Sequence, residues 1–446
     1  MFKKVLIANR GEIALRIHRA CKEMGIQTVA IHSTADENAM HVRLADESVC
    51  IGPPAPKDSY LNMAAILTAA NITGADAIHP GVGFLSENAQ FADMVEEHGH
   101  TFIGPTAEHM RVMGDKIQAK ETVIELGIPV VPGSDGGVDS PEEALTVAKE
   151  IGFPLIIKAS SGGGGRGMKV AYSMDEVVEA MQICQTEAKA AFGDDAVYME
   201  RYLGDPRHIE IQIIADGQGS CVHLNERDCS VQRRHQKVIE EAPSPALDQA
   251  ARDKIGKTVT DALTKLGYRG VGTIEFLFEG GEFYFIEMNT RLQVEHPITE
   301  MICGVDIVRE QIRVAAGHKL SFKQEDIKIN GHSMECRITA EHPETFMPSP
   351  GKITDYHVPG GIGVRVDSHL YSGYSIPPFY DSLVSKLIVH GANREECLLR
   401  IRRCLEEYVI GGIETTIPLH QRIIEEDAFR SGKYNIHWLE ELMGLK

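Results

Sequence analysis

Short apolar runs alternate with amphipathic ones from residue 1 to about 114. "KVLIANRG" reads as a strand leading into the helical "EIALRIHRACKEMG", and "QTVAIHS" reads as the next strand. Farther on, the helical "AAILTAANITG" leads to the strand "ADAIHPG", and "HTFIGP" closes the set. Strand–helix–strand alternation at this spacing predicts a doubly wound parallel sheet. Such sheets gather function beyond the carboxyl ends of their strands. Three loops fall there: "NRGE", "HPGVGFLSEN" and "GPTAEHM". The first holds one glycine, so it is not a GxGxxG dinucleotide fingerprint.

The pattern then changes. A linker helix, "GDKIQAKETVIELG", occupies 115–130 and ends in the Pro- and Gly-rich "IPVVPGSDGG", a boundary signal. Residues 131–203 form a small α/β unit: helix "SPEEALTVAKEIG", strand "PLIIKA", a glycine loop, strand "GMKVAYS", helix "DEVVEAMQICQTEAKAAF" and strand "AVYMERYL". From 204 the pattern is one of antiparallel hairpins and packed helices, with "HIEIQIIADGQGSCVHLNERD" folding back at a glycine turn. The expected organisation is multidomain, α/β and α+β, with segments 1–114, 115–130, 131–203, 204–330 and 331–446.

Composition narrows the class. A chain of 446 residues exceeds one core, and 43% hydrophobic with 24% charged residues is that of a soluble globular protein. A net charge of −19 argues against a surface that coats nucleic acid. Apolar runs such as "VLIA" are far too short to span a membrane, and the N-terminus lacks a cleavable signal, so a cytoplasmic protein is expected. Nine cysteines with no CxxC pair read as reduced structural thiols.

Chemistry enters where polar residues interrupt apolar strands. In "TIEFLFEGGEFYFIEMNTR" (273–291), Glu275, Glu287 and Asn289 sit among Phe, Ile and Leu. A buried carboxylate is costly unless paired or bound to metal. With a three-residue loop at Gly280–Glu282, Glu275 would face Glu287 directly, about 5 Å apart at Cβ, a repulsive pair that Mg²⁺ would compensate. With a two-residue loop the two would lie on opposite faces; a shared proton or nearby arginines are the other means of compensation. The run "KASSGGGGRGMK" (158–169) fits either a phosphate-wrapping flap, with Lys158 adding charge, or a flexible hairpin loop, but not a P-loop. "DCSVQRRHQKVIEEAP" concentrates Arg233, Arg234, His235 and Lys237 and reads as an anion-binding loop after a strand, or as a solvated charge run. In "RLQVEHPITE", Glu295 is a candidate base and Arg291 a candidate anion clamp. Arg337 is polar within the strand "MECRITAEHP".

Together, "IANRGEIA", "HPGVGFLSEN", "MGDK", "IIKASSGGGGRGM", "RDCSVQRRHQKVIEEAP", "EFYFIEMNTRLQVEHPITE" and "ECRITAE" resemble the biotin carboxylase family over nearly the whole chain. The resemblance is to the subunit of bacterial acetyl-CoA carboxylase, an ATP-grasp enzyme. It implies an N-terminal Rossmann-like (pre-ATP-grasp) domain, an ATP-grasp lid at 131–203, an ATP-grasp core at 204–330 and a mixed antiparallel C-terminal domain. It implies MgATP-dependent carboxylation of carrier-linked biotin through carboxyphosphate, with Mn²⁺ able to replace Mg²⁺ and no tightly bound organic cofactor. Lys116, Lys158 and His208 would contact ATP phosphates under a flap of Gly162, Gly163, Gly164 and Gly165. Glu200, Arg201 and Leu203 would serve adenine through the main chain, with Gln232 and His235 near the ribose. Glu275, Glu287 and Asn289 would hold the metal. Lys237, Arg291, Gln293 and Val294 would surround bicarbonate, Glu295 would be its base, and Arg337 would steady the biotin enolate.

Three departures from the family pattern stand out. Val82 replaces a tyrosine beside the biotin and bicarbonate pocket, Ser161 replaces a glycine, and Thr339 and His342 alter "NAED". Arg201, where lysine is usual, should be tolerated. The resemblance further implies a homodimer built on Arg16, Arg19, Glu23 and Arg365, although the charged helix "EIALRIHRACKE" is equally consistent with a solvated face. Because "NIHWLEELMGLK" ends the chain without a carrier segment, separate biotin carboxyl carrier protein and carboxyltransferase subunits are expected. Acetyl-CoA is the default acceptor, with pyruvate, 2-oxoglutarate or another acyl-CoA carboxylase as alternatives. The remaining ones are a different ATP-grasp ligase and a non-catalytic nucleotide-binding subunit.

Overall fold

The computed structural model describes residues 1–159, 167–192 and 195–445, apart from the side chains at 116, 117, 191 and 192. The chain divides into two compact units, one of 1–128, 207–277 and 286–446, the other of 129–206 with 278–285. No helix among the described residues is long and apolar enough to cross a membrane.

The larger unit begins with the expected parallel sheet. Its strand order is Glu47–Gly52, Gln27–Ser33, Lys4–Ile7, Ala77–His79, Thr101–Phe102, so the first strand lies centrally with later ones on both sides. The edge strand Glu47–Gly52 was not legible in the sequence, because half of its positions are exposed and no apolar alternation marks it. Reversal of strand order beside Lys4–Ile7 opens a crevice at the carboxyl ends. The loops "NRGE" and "HPGVGFLSEN" meet there: Asn9 Nδ2 donates to the carbonyls of Pro80 at 2.7 Å and Val82 at 2.8 Å. Gly81 has φ +68, and a Cβ there would come within 2.8 Å of the Asn9 amide, so this junction needs glycine. The third loop opens helix Ala107–Gly114, capped by Thr106.

An eight-stranded sheet follows, ordered Glu282–Asn289, Arg269–Glu279, Arg207–Asp216, Cys221–Arg233, Gln236–Ala242, His332–Thr339, Leu383–Gly391, Val364–Ser368. Its ladders from Arg207 onward to Ser368 are antiparallel, and they run without a break across residue 331. Helix His296–Cys303 is buried along most of its length. Every residue of Arg207–Asp216 is buried, so both faces of that strand are covered.

The smaller unit has its own core. Strands Met168–Ala171, Leu155–Ala159 and Val197–Arg201 pair antiparallel, and Leu155, Ile157, Val197 and Met199 pack with Ala144, Ala148, Val177 and Met181 of the helices Pro141–Ile151 and Val177–Phe192.

Candidate active site

A cavity of about 1100 Å³ lies within the larger unit at the carboxyl ends of the parallel strands. Residues from both sheets line it, including Arg10 and Val82 from the N-terminal loops and His208, Gln232, His235, Lys237, Glu275, Glu287, Asn289, Arg291, Gln293, Val294 and Arg337 from the later chain.

The acidic hairpin turns differently from the expectation. Its loop has two residues, Gly280 and Gly281, both with positive φ (+61 and +87), as a tight hairpin turn requires. The assumed three-residue loop, and the direct opposition drawn from it, is therefore corrected. An unbroken ladder from a two-residue turn would set Glu275 and Asn289 on opposite faces. Instead Asn289 Nδ2 donates to Glu275 Oε1 at 2.9 Å, and two adjacent exposed residues, Ile286 and Glu287, interrupt the alternation. Both acids nevertheless line one cavity.

Lys237 organises the centre. Its Nζ lies 2.5 Å from Glu210, 2.9 Å from Glu275 and 2.6 Å from Glu295. Arg227, wholly buried, pairs with Glu210 at 2.5 Å. Arg337 bridges Glu240 at 2.5 Å and Glu295 at 3.0 Å. Four carboxylates, Glu210, Glu240, Glu275 and Glu295, thus share three cations, Lys237, Arg227 and Arg337. The expected Glu275–Glu287 repulsion is already offset on one side, since Glu275 takes the Lys237 ammonium, the Asn289 amide and the Gln293 amide (3.1 Å), with His208 at 3.0 Å.

Ionisation follows from these contacts. Burial raises the Glu275 pKa, but Lys237 and His208 outweigh it and hold the carboxyl well below the usual range. Burial likewise works against Glu295, yet Lys237, Arg337 and Arg227 keep it ionised far below the ordinary carboxylate value. Glu240 moves the other way, up to about 7, because burial and the Glu295 charge exceed the help from Arg337 and Lys237. Burial and the Glu275 charge raise Glu287.

Arg291 is held at the rim by Glu87 (2.8 Å), Asn289 (2.8 Å) and Gln293 (3.1 Å). The expected anion loop of 228–243 is a hairpin turn: Arg234 and His235 join strands Cys221–Arg233 and Gln236–Ala242 in left-handed conformations, φ +48 and +63. Arg233 stacks on Phe346, 3.5 Å from the ring centre. Val82 lines the cavity and is pinned through its carbonyl by Asn9; Thr339 also lines it.

The remaining predicted residues belong to the smaller unit or fall outside what is described. Lys158 pairs with Glu200 at 2.8 Å, the Arg201 amide donates to the Pro132 carbonyl at 2.9 Å, and Leu203 is buried. Ser161 and Gly162 to Gly165 lie outside the described residues, as does the Lys116 side chain, although helix Lys116–Glu125 begins at that residue. The solvated reading of the first helix's charges is corrected at Arg16, which is buried and pairs with Glu300 (2.7 Å) and Asp306 (2.6 Å). Arg365 pairs with Glu300 and Asp367 (2.7 Å each). These groups, with Arg19 and Glu23, line a second cavity of about 500 Å³.

Sequence reasoning missed Glu210, Arg227, Glu240, Lys386 and Glu12. Glu210 gave no signal of its own, because "HIEIQII" alternates polar and apolar residues as a half-solvated strand does.

An antiparallel sheet with cavity-lining acids, combined with a parallel-sheet N-terminal domain and a small separate α/β unit, defines the ATP-grasp ligases. Comparison with known proteins identifies the branch. Residues 1–110 match the family described as biotin carboxylase, N-terminal domain, residues 115–323 the carbamoyl-phosphate synthase L chain, ATP binding domain, and residues 335–441 the biotin carboxylase C-terminal domain. The biotin carboxylase of Pseudomonas aeruginosa is 59% identical over 446 residues, covering 100% of this chain and 99% of that one. A pyruvate carboxylase subunit of Methanothermobacter thermautotrophicus is 54% identical, covering 99% of this chain and 90% of that one. Among solved structures, the biotin carboxylase domain dimer of Hydrogenobacter thermophilus 2-oxoglutarate carboxylase, in complex with MgADP, ADP and bicarbonate, superposes with a TM-score of 0.88 at 51% identity, covering 99% and 98% of the two chains. This chain belongs to the biotin carboxylase family and is an ATP-grasp ligase.

Proposed function

We propose that this chain carboxylates biotin on a biotin carboxyl carrier protein, using MgATP and bicarbonate. A bicarbonate oxygen attacks the γ-phosphorus of ATP as the bond to ADP breaks, giving carboxyphosphate. Its C–O bond then breaks to phosphate and CO₂, and N1′ of biotin takes the CO₂ as its own proton passes to the released phosphate. The observation that carries the reading is Glu295, wholly buried and held at 2.6 Å by Lys237 and at 3.0 Å by Arg337, two cations that line the cavity.

That arrangement suits a base for bicarbonate. Glu295 is ionised at neutral pH, so it is free to accept a proton. An anion entering between Lys237, Arg291, Gln293 and Val294 would draw cationic charge from Glu295 and raise its basicity as the proton is needed. Arg337 would then face the ureido oxygen of biotin and stabilise its enolate. Covered from water, carboxyphosphate would survive to the second step.

The donor set fits Mg²⁺: Glu275 and Glu287 line one cavity with Asn289 beside them, and a divalent cation there would offset the burial and the Glu275 charge that raise Glu287. When bound, the ion would neutralise charge on the nucleotide phosphates. His208, Gln232 and His235 line the same cavity and fit phosphate and ribose contacts. Lys116, Lys158, the glycines 162–165, Glu200, Arg201 and Leu203 take nucleotide roles by resemblance to the family.

The acceptor is proposed to be acetyl-CoA, through a separate carboxyltransferase. The 54% identity to a pyruvate carboxylase subunit favours a second reading, a 2-oxo-acid acceptor. A homodimer is proposed around Arg16, Arg19, Glu23 and Arg365, and a cytoplasmic location. Free biotin added to bicarbonate-dependent ATP cleavage tests the function: stimulation supports it, and cleavage indifferent to biotin points to another ATP-grasp ligase. Co-purification of the carboxyltransferase distinguishes the acceptors.

A further inference from the structure

Lys386 has no exposed surface and does not itself line the cavity. Its Nζ donates to the Val294 carbonyl at 2.8 Å and lies 3.1 Å from Oε2 of Glu12, a buried residue in the first turn of helix Gly11–Glu23. In the sheet, Lys386 is directly opposite Arg337 on one side and Asp367 on the other. Directly opposed residues share a face, so Lys386 stands in the row that Arg337 occupies beside Glu295. Stability alone does not call for an ammonium here, because a well-packed apolar side chain commonly replaces a buried ion pair at no loss.

The peptide that Lys386 grips leads into Glu295. A peptide unit is planar, so holding the Val294 carbonyl also sets the Glu295 amide and the direction of its Cα. Glu295 is the N-terminal flanking residue of helix His296–Cys303, with φ −83 and ψ 7, in the sparsely populated bridge region. Its side chain has no cap hydrogen bond to the helix and is turned instead toward Lys237 and Arg337. The conformation that presents the carboxylate is therefore held from outside the helix, and the Lys386 bond to the preceding carbonyl is one of the restraints.

We propose that Lys386 is a positioning residue: by holding the Val294 carbonyl it fixes the turn that presents Val294 and Glu295 to bicarbonate. This rests on the bicarbonate reading of the cavity given above. The competing role, neutralising Glu12 to join the first helix to the C-terminal strands, is separable by mutation. Lys386→Met removes both functions, whereas Glu12→Gln with Lys386→Met removes the carboxylate that Lys386 would neutralise and leaves Val294 ungripped.

The test measures kcat and KM for bicarbonate in biotin-stimulated ATP cleavage, MgADP affinity by direct titration, and melting temperature. Misplacement of a reacting group by an ångström costs on the order of 100-fold. For both variants kcat/KM for bicarbonate should fall by about 10- to 100-fold, while MgADP affinity stays within about twofold. The double variant should recover melting temperature but not rate. Where the methionine variants do not fold, Lys386→Arg keeps the charge, changes the donor geometry, and should show the same split. A double variant, or Lys386→Arg, with wild-type bicarbonate kinetics would overturn the positioning role alone, as would a loss falling equally on MgADP affinity. A wild type without bicarbonate-dependent cleavage would overturn the site reading together with it.

Discussion

Nζ of Lys237 lies 2.6 Å from Oε1 of Glu295, a carboxylate with no exposed surface. The pair sets the state of the proposed base. Burial pushes the Glu295 pKa up, and Lys237, then Arg337, overcome that push. Lys237→Met should therefore lower the rate, by about 10²- to 10⁴-fold for a group at the reacting centre, and also change its pH dependence. Without the ammonium, the Glu295 pKa rises, so the acid limb of kcat/KM for bicarbonate moves to higher pH. Rates measured from pH 5 to 8 check this; a slow variant with an unmoved acid limb contradicts the coupling.

Glu287 carries two opposing demands. Burial and the Glu275 charge raise its pKa, whereas the proposed Mg²⁺ site would use both acids as ligands. Glu287→Gln should leave the metal-free protein at least as heat-stable as wild type, yet raise the Mg²⁺ concentration for half-maximal activity about tenfold or more, in line with partial loss of a carboxylate ligand. Calorimetry without metal and a Mg²⁺ titration read the two effects separately. Lowered heat stability with an unchanged Mg²⁺ requirement would make Glu287 structural.

A purely structural cluster should show the opposite pH behaviour to Glu240. Glu241 accepts from Arg394 at 2.7 and 3.1 Å, meets His332 at 2.7 Å and hydrogen-bonds Tyr434. Burial raises its pKa, but the His332 hydrogen bond and the Arg394 charge bring it down to about 2 from 4.5. A depressed carboxylate contributes stability that is complete above its unfolded pKa and is lost as pH falls from about 4.5 toward 2, a contribution of about 3 kcal/mol at neutral pH. Glu241→Gln should melt several degrees below wild type at pH 7, and the gap should narrow as pH drops through 4. A gap independent of pH contradicts the assignment.

Much of this was legible before any coordinates, for physical reasons. Strands Lys4–Ile7, Gln27–Ser33 and Ala77–His79 are almost wholly buried, so their apolar runs stand out, and the loops after the first and third line the cavity. Glu275 and Glu287 were visible because carboxylates interrupt aromatic strands. Their convergence was reached by the wrong route, since Gly280–Gly281 alone makes the turn, yet both acids line one cavity. Glu210 stayed hidden because "HIEIQII" alternates like a half-solvated strand, whereas both of its faces are covered. Lys386 could not be seen at all: its partners Glu12 and Val294 are brought to it only by tertiary packing.

The most direct test of the central claim follows the oxygen of bicarbonate. If Glu295, Lys237 and Arg291 prepare bicarbonate to attack ATP, the P–O bond formed survives when carboxyphosphate splits at carbon. Turnover with ¹⁸O-labelled bicarbonate, Mg²⁺, ATP and biotin should then yield inorganic phosphate carrying one bicarbonate oxygen, read by mass spectrometry or ³¹P NMR. Phosphate whose one new oxygen comes from solvent water rather than bicarbonate, at undiminished ATP cleavage, would contradict it.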